Sequence, residues 1–176
     1  MFGLARLAYF VTILALLGTA LAANLYRLDF RTPKEIHDAG GMVSREPNGK
    51  GSVIEHVKAI LGDKDPWVST TSDKKLAQKG AKSPGNAYVY YIYPSGLEIK
   101  DTIKEFKKAK QEHPHPAEKE FSVKSRIPWK NIEKWETYKR GKLIETTTRE
   151  EYKKGHEGES SPKKGARGRS IRSFIA

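Results

Sequence analysis

The chain contains no cysteine in its 176 residues. That excludes disulfides, thiolate nucleophiles and cysteine metal ligands, so burial and hydrogen bonding must hold the fold. It also lacks a run of about 20 apolar residues, the length that a membrane-spanning helix needs. No P-loop, no Gly-x-Gly-x-x-Gly fingerprint and no Ser-His-Asp arrangement is visible, which removes the commonest nucleotide-binding and nucleophilic-hydrolase readings. There is no internal repeat.

The longest apolar run, Leu7 to Leu17, is preceded by Arg6 and followed by Gly18-Thr19 and Ala20-Leu21-Ala22. Short core, basic flank and small residues read as a cleaved secretory signal over 1–22 rather than as a membrane anchor. The expectation is a secreted protein beginning near Ala23. Loss of Arg6 would lower the net charge from +12 by one. A basic balance favours anionic partners without naming one, and much of it sits in solvated runs such as Lys104 to Lys110. After Tyr152 the sequence is Gly, Ser, Lys and Arg with few apolar residues. Residues 153–176 read as a disordered basic tail suited to anionic surfaces. About 130 residues, 23–152, remain for one domain with a core.

Within that domain, Tyr26, Leu28 and Phe30 alternate with Arg27, Asp29 and Arg31, which predicts a strand with a polar face. Thr32, Pro33 and Glu35 predict a capped helix ended by Gly40-Gly41. Ser52 to Leu61 reads as a second helix, Trp67 to Thr71 as a short strand, and Ser72 to Gly80 as a turn or two of helix. Ala87 to Tyr93 is apolar or aromatic on both faces, as in a buried central strand. The tyrosines could otherwise form a nucleic-acid stacking platform, but burial is favoured. Glu98 to Glu112 reads as helix, Glu118 to Val123 as a strand, and Ile127 to Tyr138 as the last packed segment.

Three motifs bear chemistry: Arg27 on the first strand, Ser69-Thr70-Thr71, and Glu118-Lys119-Glu120. On a strand, residues two apart project together, so Glu118 and Glu120 would share a side. Each motif alone reads as structure: a salt-bridge partner, a strand edge and solvated charge. His113-Pro114-His115 reads as a rigid loop rather than a metal site, since no third ligand is spaced for one.

As an ordered set they resemble the heat-labile enterotoxin A chain family of cholera-toxin-like mono-ADP-ribosyltransferases. The resemblance runs from Leu25 to Tyr138. It is carried by Leu25-Tyr26-Arg27-x-Asp29-x-Arg31, Val68-Ser69-Thr70-Thr71, Tyr90-Tyr91-Ile92-Tyr93, His115-Pro116-x-Glu118-x-Glu120 and Ile127-Pro128-Trp129. It implies an α+β fold with a split pair of small β-sheets around an NAD cleft. It implies NAD+ as co-substrate with no metal, and transfer of ADP-ribose to an arginine of a target protein. By the same resemblance Glu120 would stabilise the ribosyl cation and Glu118 handle the acceptor. Arg27, Ser69, Thr70 and Thr71 would bind the dinucleotide. His56 would join them if it matches the family's histidine; the spacing differs, and the alternative is a surface histidine on a helix. The cysteine pair that links the family's A1 and A2 parts is missing, as is a long A2-like helix, so no B-subunit partner is expected. The other reading is a catalytically inactive or weak relative acting as a secreted basic binding protein.

Overall fold

The polar face expected on the first strand is folded inward. In the computed structural model, which describes residues 23–82 and 84–156, β1 is Leu25–Asp29. Asp29 is buried, whereas Phe30, expected to face inward with Tyr26 and Leu28, is exposed. The reason is charge pairing. Asp29 accepts from Arg27 Nε at 3.2 Å and from Arg31 Nη2 at 2.6 Å, which removes the cost of burying it. The predicted cap follows. Thr32 and Glu35 bond reciprocally at the start of α1, Pro33–Asp38. Gly40 and Gly41 then take φ of 72° and 128°. A Cβ on Gly41 would lie 2.1 Å from the Ile127 carbonyl oxygen, so only glycine lets β2, Gly41–Val43, pair with β7, Arg126–Pro128.

Several elements differ from expectation. The second helix, α2, is only Val53–Val57, because Ala59 turns left-handed at φ 62°. After β3, Trp67–Thr71, comes α3, Lys74–Gly80, capped by Asp73. The aromatic run forms β4, Asn86–Ile92, buried as expected from Ala87 onward. The segment 98–112 is not one helix. Ile99 pairs with Val123, giving β5, Ile99–Asp101, and Asp101 then caps α4, Thr102–Lys108. The strand expected from Glu118 starts instead at Glu120, as β6, Glu120–Lys124. β8, Ile132–Lys139, turns through Arg140-Gly141 into β9, Lys142–Thr148, an unexpected strand.

The strands form a seven-stranded sheet, β5-β6-β3-β1-β4-β8-β9, and the separate β2-β7 pair. The large sheet is nearly divided. β1 and β4 pair along five positions, but β1 and β3 meet only at Tyr26↔Thr71. The split expected for this α+β class therefore lies at the β1–β3 seam. One face of the sheet buries Tyr90, Ile92, Ile132 and Trp135 with Ile36 and Met42. A second cluster packs Ala77 and Ala81, in and just after α3, on Leu28, Val89 and Tyr138. Gln78 of α3 and Tyr138 both donate to Glu136 at 2.8 Å. Burial opposes ionisation of Glu136, but these donors with Tyr91 and Lys74 hold its pKa down at about 2.

The boundary expected at Tyr152 falls inside a helix. α5 is Arg149–Gly155, and Tyr152 packs its ring 5.5 Å from Trp129 and 5.6 Å from Trp135. The first residues assigned to the tail thus belong to the domain. The signal segment and residues 157–176 lie outside the described residues. Tyr152→Ala should destabilise the domain by about 2 kcal/mol and lower the melting temperature by several degrees, whereas Tyr152→Phe should have little effect. Equal melting of Tyr152→Ala and wild type in a thermal scan would show that the aromatic cluster does not anchor α5.

Candidate functional site

The seam between β1 and β3 opens into a cleft of about 280 Å³. All seven residues singled out from the sequence line it: Arg27, His56, Ser69, Thr70, Thr71, Glu118 and Glu120. They come from β1, α2, β3, β6 and the turn before β6. The premise that put Glu118 beside Glu120 on a strand does not hold. Glu118 ends a short 3-10 helix, and Lys119 takes φ 47°. That left-handed residue turns the chain sharply between the two glutamates, yet both still face the cleft.

Glu120 is 7% exposed. Its Oε1 accepts from Ser122 Oγ at 3.0 Å and from His56 Nε2 at 3.2 Å. Burial would raise its pKa, but His56, then Ser69 and Ser122, more than offset this, and the carboxyl sits below its usual value. His56 is not a surface residue. Its Nδ1 donates to Asp65 Oδ2 at 2.7 Å, and its Nε2 lies 2.9 Å from Ser69 Oγ. Burial alone would favour neutral imidazole. Hydrogen bonds and charge from Asp65 and Glu120 prevail and push the histidine up to about 9. At neutral pH both ring nitrogens carry protons, and both face acceptor-only carboxylates. The Ser-His-Asp arrangement that the sequence does not display is thus present in space, as Ser69, His56 and Asp65.

Arg27 bridges the seam. Its Nη1 donates to the Ser69 carbonyl at 2.7 Å, while Asp29 fixes its Nε. Arg31 lines the cleft from the same strand end, held by Asp29 on two donors. Asp29 is well below the carboxylate range. Burial opposes this, but Arg31 and Arg27 outweigh it. The cations are therefore fixed in position before any anion arrives.

The Thr70 and Thr71 hydroxyls are committed to the backbone. Thr70 donates to the Phe121 carbonyl at 2.5 Å and Thr71 to the Glu118 carbonyl at 2.7 Å. They pin β6 and the Glu118 turn to β3. Glu118 itself is half-buried, and its pKa is raised by burial first and the Glu120 charge second. A further chain of bonds supports the turn from behind. The His115 amide donates to His113 Nδ1 at 3.0 Å, which fixes the proton on Nε2. That nitrogen donates to Thr102 Oγ1 at 2.9 Å, and Thr102 donates to the Glu120 carbonyl at 3.0 Å. Burial lowers the pKa of His113 and keeps it neutral. The loop read as merely rigid is thus a clamp on the glutamate segment.

Asp65, Ser122 and Thr102 are not singled out by the sequence, and His113 is read there only as part of a rigid loop. Ser122 was legible, since it lies two residues from Glu120 on a strand and shares its side. The others act through contacts 9 to 18 residues or more away, which no local pattern encodes. Among the described residues no group of three or more His, Asp or Glu is placed to hold a metal ion.

A family model for the heat-labile enterotoxin alpha chain matches residues 6–158. The chain is 30% identical over 138 residues to the NAD(+)--arginine ADP-ribosyltransferase Chelt of Vibrio cholerae, covering 68% of this chain and 22% of that protein. It is 30% identical over 141 residues to the heat-labile enterotoxin A chain of Escherichia coli, covering 68% and 52%. It therefore spans about half the length of that A chain, and less of Chelt. Among solved structures, a mutant heat-labile enterotoxin superposes with a TM-score of 0.60 at 21% identity, covering 79% of this chain and 82% of that one. A guanine-specific ADP-ribosyltransferase gives 0.56 at 24%, covering 73% and 76%. These two share the fold. The chain belongs to the heat-labile enterotoxin alpha chain family.

Proposed function

We propose that the chain is a secreted mono-ADP-ribosyltransferase that takes ADP-ribose from NAD+ and transfers it to an arginine side chain of a target protein. The observation that carries this reading is a buried Glu120 held ionised by His56, Ser69 and Ser122. Breaking the bond from ribose to nicotinamide leaves positive charge on the ribose, as in glycoside hydrolysis. The bonding electrons leave with nicotinamide, which departs neutral. A carboxylate fixed beside that centre stabilises the charge as it develops. Arg27 and Arg31 supply cations for the diphosphate at the other end of the cleft.

The acceptor nitrogen then bonds to the ribose carbon and must lose a proton. Glu118, with a pKa above an ordinary carboxylate, is better matched to take it than Glu120. The paired glutamates favour a guanidinium acceptor, since a cation entering the cleft meets two acids. The arginine-specific activity in the name of the Chelt relative points the same way.

Glu120→Gln should slow NAD hydrolysis about 100-fold or more and abolish transfer to agmatine, read as nicotinamide release and as ADP-ribosyl-agmatine. Glu118→Gln should lose transfer yet keep part of the hydrolysis. Equal NAD turnover by wild type and Glu120→Gln would refute the enzyme reading and leave a binding protein.

pH supplies a separate check. His56 is raised from 6.5 to about 9 in the fold. Its contribution to stability is therefore full below pH 6.5 and is lost as pH rises through about 9. The melting temperature of wild type should fall between these limits more than that of His56→Gln. Asp65→Asn removes one of the two carboxylates and should lower the histidine's titration midpoint, followed through its ring protons by NMR. An unchanged midpoint would show that Asp65 does not hold the charge.

A further inference from the structure

The far end of the large sheet carries an arrangement that the cleft does not use. At the β8–β9 turn, Lys139, Arg140 and Lys142 occupy three of four consecutive positions, all exposed. Arg140 and Gly141 both have positive φ, 51° and 72°. The Lys82 carbonyl oxygen lies 3.1 Å from where a Gly141 Cβ would sit, so an exposed fourth lysine adjoins the turn. Lys139 and Lys142 are direct cross-strand partners. Like charges placed opposite one another destabilise a strand pair. None of the four cations has an ion pair or side-chain hydrogen bond among the described residues, and the nearest acid on β9, Glu145, stands opposite Thr137. Beside this tip are Leu143 and Ile144, 52% and 61% exposed.

We infer that the β8–β9 tip docks the protein on an anionic lipid surface, with the four cations against headgroups and Leu143 and Ile144 at the acyl boundary. Cations adjoining exposed aliphatic side chains supply the two signals, electrostatic and apolar, that stable peripheral binding requires. Single-stranded nucleic acid fits less well, because stacking on bases needs exposed aromatic rings and the one at the tip, Tyr138, is buried, and a duplex backbone makes no use of the exposed Leu143 and Ile144. A second copy added along β9 fits less well too. The pairing jumps from Tyr138↔Leu143 to Thr137↔Glu145, leaving Ile144 as a bulge, and bulges interrupt edge-to-edge pairing.

The test uses the full chain with vesicles of phosphatidylcholine alone or mixed with phosphatidylserine, read by co-sedimentation at about 0.1 M salt. Wild type should bind the mixed vesicles only. K139A/R140A/K142A should bind on the order of 100-fold more weakly, at about fivefold per cation. L143S/I144S should lose the binding that resists added salt. Both variants should keep the melting temperature and NAD turnover of wild type, which separates this inference from the proposed activity. The triple variant has lost a like-charge pair, so it should melt no lower. Undiminished vesicle binding by the triple variant would assign the affinity elsewhere, residues 157–176 included, and overturn the inference. So would tip-dependent binding of a duplex oligonucleotide, or tip-dependent dimerisation in sedimentation, without vesicle binding.

Discussion

A carboxylate that is both buried and ionised must be surrounded by donors or it takes up a proton. Glu120 imposes that requirement on the domain. Two of its donors come from distant parts of the chain, His56 from α2 and Ser69 from β3, and the third, Ser122, lies two residues on in β6 itself. His56 is charged at neutral pH, and a buried imidazolium needs its own counter-charge, which Asp65 provides. Asp65 is in turn set by the Trp67 amide, which donates to its Oδ1 at 3.0 Å. Folding one charge therefore organises the path from Ser52 to Thr71. Removing a single partner would strand a charge in the interior, which costs far more than the pair contributes.

The sheet is built to leave room for this. β4 is covered on both faces and carries five paired positions with β1, so β1 has a rigid support on that side. On its other side β1 touches β3 at one pair. A fully paired sheet would close the gap and leave no cleft. The opening exposes backbone groups, and Arg27 answers part of that need by donating to the Ser69 carbonyl across the seam. Its guanidinium thus both spans the two halves and lies in the cleft wall. Asp29 anchors it and Arg31 together, so the strand end presents fixed cations instead of flexible ones.

Local signals in the sequence were legible where local physics decides the outcome. The Thr32–Glu35 box and the Gly40-Gly41 stop set α1, and the aromatic run set β4. Ser52 and Glu55 form an equally good box, but helical spacing out to Leu61 hides the left-handed Ala59 that ends α2 early. β5 leaves no local signal, because its three residues become strand by pairing with β6 and not by any propensity of their own. β9 lacks buried residues and so lacks an alternation to read. Ordered short motifs point to residues that the fold brings to one cleft, but the shared strand expected for Glu118 and Glu120 does not form. A strand would have aligned them, but the chain reaches the same cleft through Lys119 in the left-handed region. Asp65 and His113 could not be found in this way, because each acts through a partner that only the fold brings near.

Connectivity alone misleads at Ser69, His56 and Asp65. The serine hydroxyl lies 2.9 Å from one ring nitrogen and the aspartate 2.7 Å from the other, which is the spacing of a nucleophilic triad. In such a triad the histidine must be neutral at its inner nitrogen to take the serine proton. Here Glu120 competes for the same nitrogen at 3.2 Å. A second carboxylate on the imidazole holds its pKa at about 9, so the ring already carries the proton it would have to accept. The ring offers Ser69 no free base, and the serine's hydrogen bond helps instead to hold Glu120 ionised. The fourth residue decides the chemistry: three residues with hydrolase geometry become the support of a buried, ionised carboxylate.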